Sequence, residues 1–418
     1  MRTLLTGARV FDGTGGDPER ADLVLDGGVI AEVLADGARP AAPVEQTHDL
    51  AGHTILPGLI DCHVHATMSG ADSLRLAQEP FSYQFYAAQR NLARTLDLGI
   101  TTVRDAGGSD LGMQVATTEG LIDGPDLRLA ISILGQTGGH TDGWNVHGDV
   151  AHIFVPHPWR PGGIVDGPDE MRRRVREVVR AGANVIKICT TGGVLSPRDD
   201  PRHPQFGMDE LDVCVSEATA AGISVMAHAQ GTQGILNAVR AGVRSIEHGI
   251  FADDRCRAEM LEWGTWLVPT LLAPVALIRS IDAGAAVPKA VEDKARAVVD
   301  IHREAVAAAI ADGVRIAMGT DAGVFQHGLN AEELALMVDA GMTPAQALTA
   351  ATSSAAELLE LPDRGRIAAG LRADLVVVDG DPYAVTTHAD RVRMVLRAGR
   401  IVRNSLPEQP PATRVSAG

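Results

Sequence analysis

Leu56-Pro57-Gly58-Leu59-Ile60-Asp61-Cys62-His63-Val64-His65 is the stretch that decides the fold. An apolar run of strand length passes without a break into His-x-His. A continuous run, rather than an alternating one, suits a strand buried on both faces, as in a parallel sheet. Residues i and i+2 of a strand point to the same side, about 6.6 Å apart. Two imidazoles at a strand exit can therefore converge on one ion. A single His-x-His says little by itself; its weight depends on what lies further along the chain.

Outward from this run, short apolar segments alternate with Ala-rich helical stretches. Eight strand candidates are legible, at 55–63, 100–104, 127–133, 184–189, 224–227, 245–247, 266–268 and 314–318. The clearest helix begins at Asp166-Gly167-Pro168, carries Asp169 and Glu170 in its first turn and ends before Gly182. Proline at the start and glycine past the end mark its bounds. Met171, Val175, Val178 and Val179 form its apolar face. Eight such strand–helix units predict a (β/α)8 barrel. One segment, 138–168, is rich in Gly, Pro, His and Trp and too long for an ordinary connection. It follows the third strand, so it is expected to lie over the barrel mouth as a substrate loop or lid.

Four more groups share the phase of His63 and His65. Lys187 closes Asn184-Val185-Ile186, His228 closes Val225-Met226-Ala227, His248 closes Ile246-Glu247, and Asp321 follows Ala317-Met318-Gly319-Thr320. All fall at the same end of five different strands, where barrel enzymes place their chemistry. A lysine in an apolar run is costly unless neutralised or paired. Burial lowers its pKa and leaves a neutral amine. Near metal ions such an amine can take up CO2 and become an anionic oxygen ligand. The expected site is a metal centre.

The two ends of the chain have a different texture. Residues 1–57 read as short strands with an Asp26-Gly27-Gly28 hairpin turn. Residues 365–404 repeat that pattern through Asp374-Leu375-Val376-Val377-Val378 and Val392-Arg393-Met394-Val395-Leu396. Together they predict one small β-sandwich domain built from both termini, with the barrel over 58–364. The polar, Pro-rich stretch 405–418 is expected to be disordered.

Bulk properties narrow the classes of function. The 418 residues are 45% hydrophobic and 3% aromatic, with a formal charge of −16. That balance disfavours nucleic-acid binding, which needs basic surface. Cys62, Cys189, Cys214 and Cys256 show no CxxC spacing and imply no disulfide framework. The opening Met1-Arg2-Thr3-Leu4-Leu5 lacks the apolar stretch of a signal peptide, and no apolar run is long enough to span a membrane. A cytoplasmic enzyme acting on a small molecule is the expectation.

The sequence resembles the amidohydrolase superfamily over nearly its whole length. The resemblance lies in 56–65, in the Lys187 strand with Thr191-Gly192-Gly193-Val194-Leu195-Ser196, in Ala227-His228-Ala229-Gln230-Gly231, in Ile246-Glu247-His248, in Gly319-Thr320-Asp321-Ala322 and in Ala373-Asp374-Leu375-Val376-Val377. More narrowly it is similar to the metal-dependent Xaa-Pro dipeptidase and carboxypeptidase-like group, which includes ochratoxin-type amidases. Imidazolonepropionases are more distant relatives. The resemblance implies two divalent ions, zinc being expected. His63, His65 and Asp321 would hold one, His228 and His248 the other, and carboxylated Lys187 would bridge them. It also implies a homo-oligomer, because relatives commonly assemble. Some relatives carry Tyr or His where this chain has Gln230, which leaves substrate polarisation there open.

The reaction expected is hydrolysis of an amide by a hydroxide shared between two ions about 3.5–4 Å apart. Asp321 accepts the proton of the attacking water and returns it to the leaving amine. Dipeptides or N-acyl amino acids, ochratoxin-type amides included, are the first substrate class. Cyclic amides and xenobiotic carbamates are the alternative. His140, in Gln136-Thr137-Gly138-Gly139-His140, and Gln230 are candidate substrate contacts. His147, His152, His157, Trp144 and Trp159 are candidates for the lid lining, and Arg198, Arg202 and His203 for binding a carboxylate. Phe81, Tyr83, Phe85 and Tyr86 are read chiefly as helix packing, with one ring as a pocket wall. A mononuclear deaminase would carry His-x-x-Glu after the fifth strand; this chain has His228-Ala229-Gln230-Gly231 and retains Lys187. A non-catalytic relative would have lost ligands, and none is missing.

Overall fold

A computed structural model describes residues 1–71, 78–144, 147–148, 150, 152, 154 and 156–407. The opening run is two strands rather than one. His53–Pro57 pairs antiparallel with Leu375–Asp379, and Leu59–Val64 pairs parallel with Ile100–Asp105. The division falls at Gly58, where a Cβ would come within 2.2 Å of Thr101 Oγ1. Only a residue without a side chain lets the backbone cross so tightly from one sheet to the other.

From Leu59 to Leu358 the described residues form an α/β fold with a curled parallel sheet. Leu59–Val64, Ile100–Asp105 and Asp126–Leu129 make a three-stranded part. Ile133–Leu134, Val185–Cys189, Ser224–Ala229, Ser245–His248 and Trp266–Val268 make a five-stranded part. The stretch expected as one strand over 127–133 is thus divided between the two parts. The cause is a left-handed kink at Ile131, whose φ is 66°. Asn184 N donates to Leu129 O across that gap at 2.7 Å. On the other side the stretch 314–318 is too irregular for a continuous strand. It still bridges the ends: Leu267 N donates to Arg315 O and Cys62 N donates to Met318 O, at 2.8 and 2.9 Å.

Helices cover the outside of the curl. Pro168–Arg180 runs as its sequence implies, with Met171, Val175 and Val178 buried and Val179 packed at the core edge. Tyr83–Asp97 corrects one reading. Its buried face is Gln84, Ala87, Ala88, Asn91, Leu92, Thr95 and Leu96. That spacing turns Tyr83 and Tyr86 outward, and Phe81 before the helix is also exposed. Only Phe85 of this aromatic cluster packs on the core.

Strands from the two ends of the chain share a nine-stranded sheet among the described residues. Its own apolar cluster includes Leu5, Leu23, Leu25, Ile30 and Ile55 from one end and Leu375, Val377, Met394 and Leu396 from the other. Residues 408–418 of the tail expected to be disordered lie outside the described residues. No helix among the described residues is long and apolar enough to cross a membrane.

Where this sheet meets the helices, His388 is buried with Nε2 3.1 Å from Leu98 O. Burial pushes its pKa down to about 4. The ring is therefore neutral in the fold, while in the unfolded chain it titrates near 6.5. Its contribution to stability is complete above pH 6.5 and is lost as pH falls toward 4, because only the unfolded chain takes up the proton. We expect urea unfolding of H388Q to show a stability–pH slope between pH 6.5 and 4 that is shallower than wild type by about 1.4 kcal/mol per pH unit.

Candidate active site

His63, His65, His228, His248 and Asp321 reach one cavity of about 520 Å3 at the carboxyl ends of the strands, with Lys187, His140 and Gln230 on its wall. Lys187 sits deeper than its position at a strand end implies, since Ile188 and Cys189 continue the strand beyond it. His63 Nε2 and His65 Nε2 each lie 3.4 Å from Asp321 Oδ1. One ligand atom from each of these three residues falls within 4.8 Å of the others. Lys187 Nζ is 3.4 Å from His63 Nε2. The His248 ring centroid is 5.2 Å from that of His63 and 4.8 Å from that of His228.

Each histidine is oriented through the nitrogen that faces away from the centre. His63 Nδ1 meets Glu247 Oε2 at 2.7 Å, His65 Nδ1 meets Gly107 O at 2.9 Å, and His248 Nδ1 meets Thr270 Oγ1 at 2.7 Å. In these three the Nε2 lone pair is left for a ligand bond. His228 is reversed: its Nε2 donates to Gly192 O at 3.0 Å, which leaves Nδ1. Burial holds the pKa of His63, His228 and His248 well below the usual imidazole range, so their lone pairs are free of protons. Burial also lowers the pKa of Lys187. Burial alone would raise Asp321, but the hydrogen bond and charge of the adjoining His65 hold it below the ordinary carboxylate value. Burial works against His65 too, but its pairing with Asp321 raises its pKa, so this ring gives up a proton when an ion binds. Three neutral imidazoles, the His65–Asp321 pair and a desolvated amine form a donor set that suits divalent ions. The residues present fit the metal.

The backbone is strained at this place. His248 has φ 71°, Asp321 φ 60° and Thr270 φ 51°. Left-handed non-glycine residues are uncommon and cluster at functional sites. Here two of them carry candidate ligands and the third orients one.

Beneath the histidines lies a buried charge network. Arg104 donates to Cys62 O at 2.6 Å, Ser245 Oγ at 3.2 Å and Glu247 Oε1 at 2.9 Å. Asp61 accepts from the backbone N–H of both His63 and Thr320, from Thr320 Oγ1 and from Asn330 Nδ2. It thereby ties the His63 exit to the Asp321 exit. None of these supports was singled out from the sequence. The signal is present: Arg104 and Glu247 are charged residues closing short strand candidates, a costly place for a charge without a partner.

The second tier of candidates divides. The His140 ring stacks on His228 at 4.2 Å, and its Nδ1 meets Ser196 Oγ at 2.8 Å and Asp199 Oδ2 at 3.5 Å. Gly193 makes room for it, since a Cβ there would sit 2.1 Å from the ring. Gln230 is buried with Oε1 lacking a hydrogen-bond partner. Trp144, His152 and Arg198 also line the cavity. His147, His157, Trp159, Arg202 and His203 are not among its lining residues, and neither are Phe81, Tyr83, Phe85 and Tyr86. From the 138–168 segment, the Phe154 ring approaches that of His65 to 6.0 Å.

Histidines, an aspartate and a buried lysine gathered at one end of a curled parallel sheet are a donor set of the kind that α/β hydrolases place at the strand ends. Residues 54–402 match the amidohydrolase family, and the chain belongs to it. It is 34% identical over 398 residues to an ochratoxinase from Aspergillus niger, which covers 91% of this chain and 82% of that protein. A crystal structure of an Xaa-Pro dipeptidase with methionine bound in its active site superposes with a TM-score of 0.88 at 34% identity, covering 97% of this chain and all of the other. A prolidase complexed with N-methylphosphonate-L-proline gives the same TM-score, 0.88, at 35% identity and covers 97% of this chain. The protein is thus a hydrolytic enzyme of the amide-bond class.

The charge network gives a direct test of the support. Removing one partner of a buried ion pair leaves the other uncompensated, at a cost of about 3–5 kcal/mol. Urea unfolding should show E247A destabilised by that amount. The double substitution R104M/E247L, which removes both charges, should recover most of the loss.

Proposed function

We propose that the chain is a binuclear metal-dependent amidohydrolase acting on dipeptides or N-acyl amino acids. The observation that carries this reading is the convergence of His63 Nε2, His65 Nε2 and Asp321 Oδ1 within 4.8 Å of one another. Lys187 Nζ lies buried 3.4 Å from that group. His63, His65 and Asp321 would hold one divalent ion, and His228, through Nδ1, with His248 the other. Lys187, carboxylated by CO2, would bridge them; zinc matches nitrogen and carboxylate donors of this kind. Bound ions of this type supply an acidified water and a polarised carbonyl.

The chain's own residues do the rest. Asp321 takes the proton of the attacking water and delivers it to the leaving amine. His140, braced by Ser196 and Asp199, and Gln230, with its unpartnered Oε1, hold the polar parts of the substrate. The likeness to ochratoxinase and to the dipeptidases supports amide substrates that carry an amino acid.

The architecture is read in the same terms. The curled parallel sheet is taken as a (β/α)8 barrel over 58–364, with a small β-sandwich domain from 1–57 and 365–404. The four cysteines are buried and unpaired, which fits the cytoplasm. We also propose that copies of the chain assemble into a homo-oligomer.

Metal-loaded enzyme should cleave members of a panel of dipeptides and N-acyl amino acids that includes a lactam and an aryl carbamate. Chelation should abolish that activity. D321N should lower kcat about 10²–10⁴-fold, the range for loss of a general acid–base, while largely sparing metal content. Protein prepared in 13C-bicarbonate should show a carbamate resonance that K187A lacks. A bare lysine in fully metallated, active enzyme removes the bridge from the mechanism.

A further inference from the structure

One end of the cavity is built unlike the rest. Val194, Ile250, Leu277, Val291 and Val287 pack into an apolar cluster separate from the main core, and all five also line the cavity. Ala273, which lines the cavity too, lies one helical turn before Leu277 on Leu272–Asp282. The cavity these side chains line is the same one that His63, His65, His228, His248 and Asp321 reach.

The lobe directly adjoins the site. Ile250 follows His248 by two residues, and Ala273 follows Thr270, the partner of His248 Nδ1, by three. Val194 follows Gly193, the residue against the His140 ring. The walls are also pinned. Lys294 Nζ donates to Gly193 O at 2.9 Å and to Ser196 O at 2.7 Å, tying the Lys289–Asp312 helix, which carries Val291, to the Val194 loop. His302 Nε2 donates to His248 O at 2.9 Å from the same helix. Glu333 accepts from Leu271 N and Leu272 N at 2.8 and 2.7 Å and anchors the start of the Ala273 helix. A preformed apolar pocket binds by removing apolar surface from water, without the cost of ordering its walls.

We propose that this lobe receives a bulky uncharged group, branched aliphatic or aromatic, carried on one side of the scissile amide, and so selects such amides over small or charged ones. The inference rests on the amide-hydrolase reading above. None of the five cluster side chains offers a hydrogen bond or a charge, so a charged substituent would be desolvated there without a partner. Each added methylene that the lobe buries should raise kcat/KM about fourfold.

The test uses two substrate series on the metal-loaded full chain. One varies the acyl group from acetyl through isovaleryl to benzoyl on a constant amino acid; the other varies the amino acid under a constant acyl group. One series should rise with apolar bulk and collapse with a charged substituent. A273L, which fills the lobe, should cut the bulky-to-small ratio of kcat/KM about tenfold or more. L277A, which enlarges the lobe, should shift the preference to larger groups and covers the case in which A273L does not fold. Equilibrium binding of the free product acids gives a readout independent of turnover, and affinity should rise along the same series. No cleavage of any amide, with binding that still rises with bulk, would count against the hydrolase reading and not against the lobe. Flat binding and flat kcat/KM across both series, or unchanged ratios in both variants, would overturn the lobe assignment.

Discussion

The contact between Arg104 and Glu247 is the constraint on which the centre rests. A guanidinium and a carboxylate lie wholly buried inside the curl, 2.9 Å apart. Taking both charges out of water is expensive, and attraction repays it only when the remaining donors and acceptors are satisfied. Here they are: Arg104 also reaches Cys62 O and Ser245 Oγ, and the second oxygen of Glu247 meets His63 Nδ1. One ion pair thereby joins three strands and orients a ring of the site. Its value lies less in net stability than in fixing where His63 points, as outer partners of metal-ligating histidines do.

Above that pair the backbone is held under strain. His248, Thr270 and Asp321 each adopt a left-handed conformation, at a cost of order 1–3 kcal/mol apiece. The surrounding bonds hold them there. Asp321 N donates to His63 O, and His302 bonds His248 O from the neighbouring helix. The left-handed turns set His248, Thr270 and Asp321 off ordinary strand geometry, and all three line one cavity.

The parts legible in the sequence are those in which a residue type conflicts with its surroundings. Histidines, an aspartate and a lysine at the ends of apolar runs are such conflicts, and the structure brings all six together. The strands at 100–104, 184–189, 224–227, 245–247 and 266–268 are legible because short apolar runs suit a buried parallel sheet, whereas 55–63 and 127–133 are each divided and 314–318 is irregular. Three features are not legible. The break at Gly58 depends on Thr101, a residue more than forty positions away that no local pattern reveals. The outward turn of Tyr83 and Tyr86 is another, because aromatic side chains suggest burial whereas Ala87, Ala88 and Leu92 occupy the inner face. Arg104 and Glu247 each looked like a strand terminus; only the curl of the sheet shows that they face one another.

The pairing of Leu375–Asp379 with His53–Pro57 has a bearing on how the molecule is made. These strands are separated by roughly three hundred residues of chain, so on the ribosome the earlier strand emerges long before its neighbour exists. Until then it presents an open hydrogen-bonding edge beside the apolar side chains of Leu5, Leu23 and Ile55. Synthesis of this protein therefore includes an interval in which a sticky seam stands exposed. The late strands act as its closure, and chaperone demand should be concentrated in that interval.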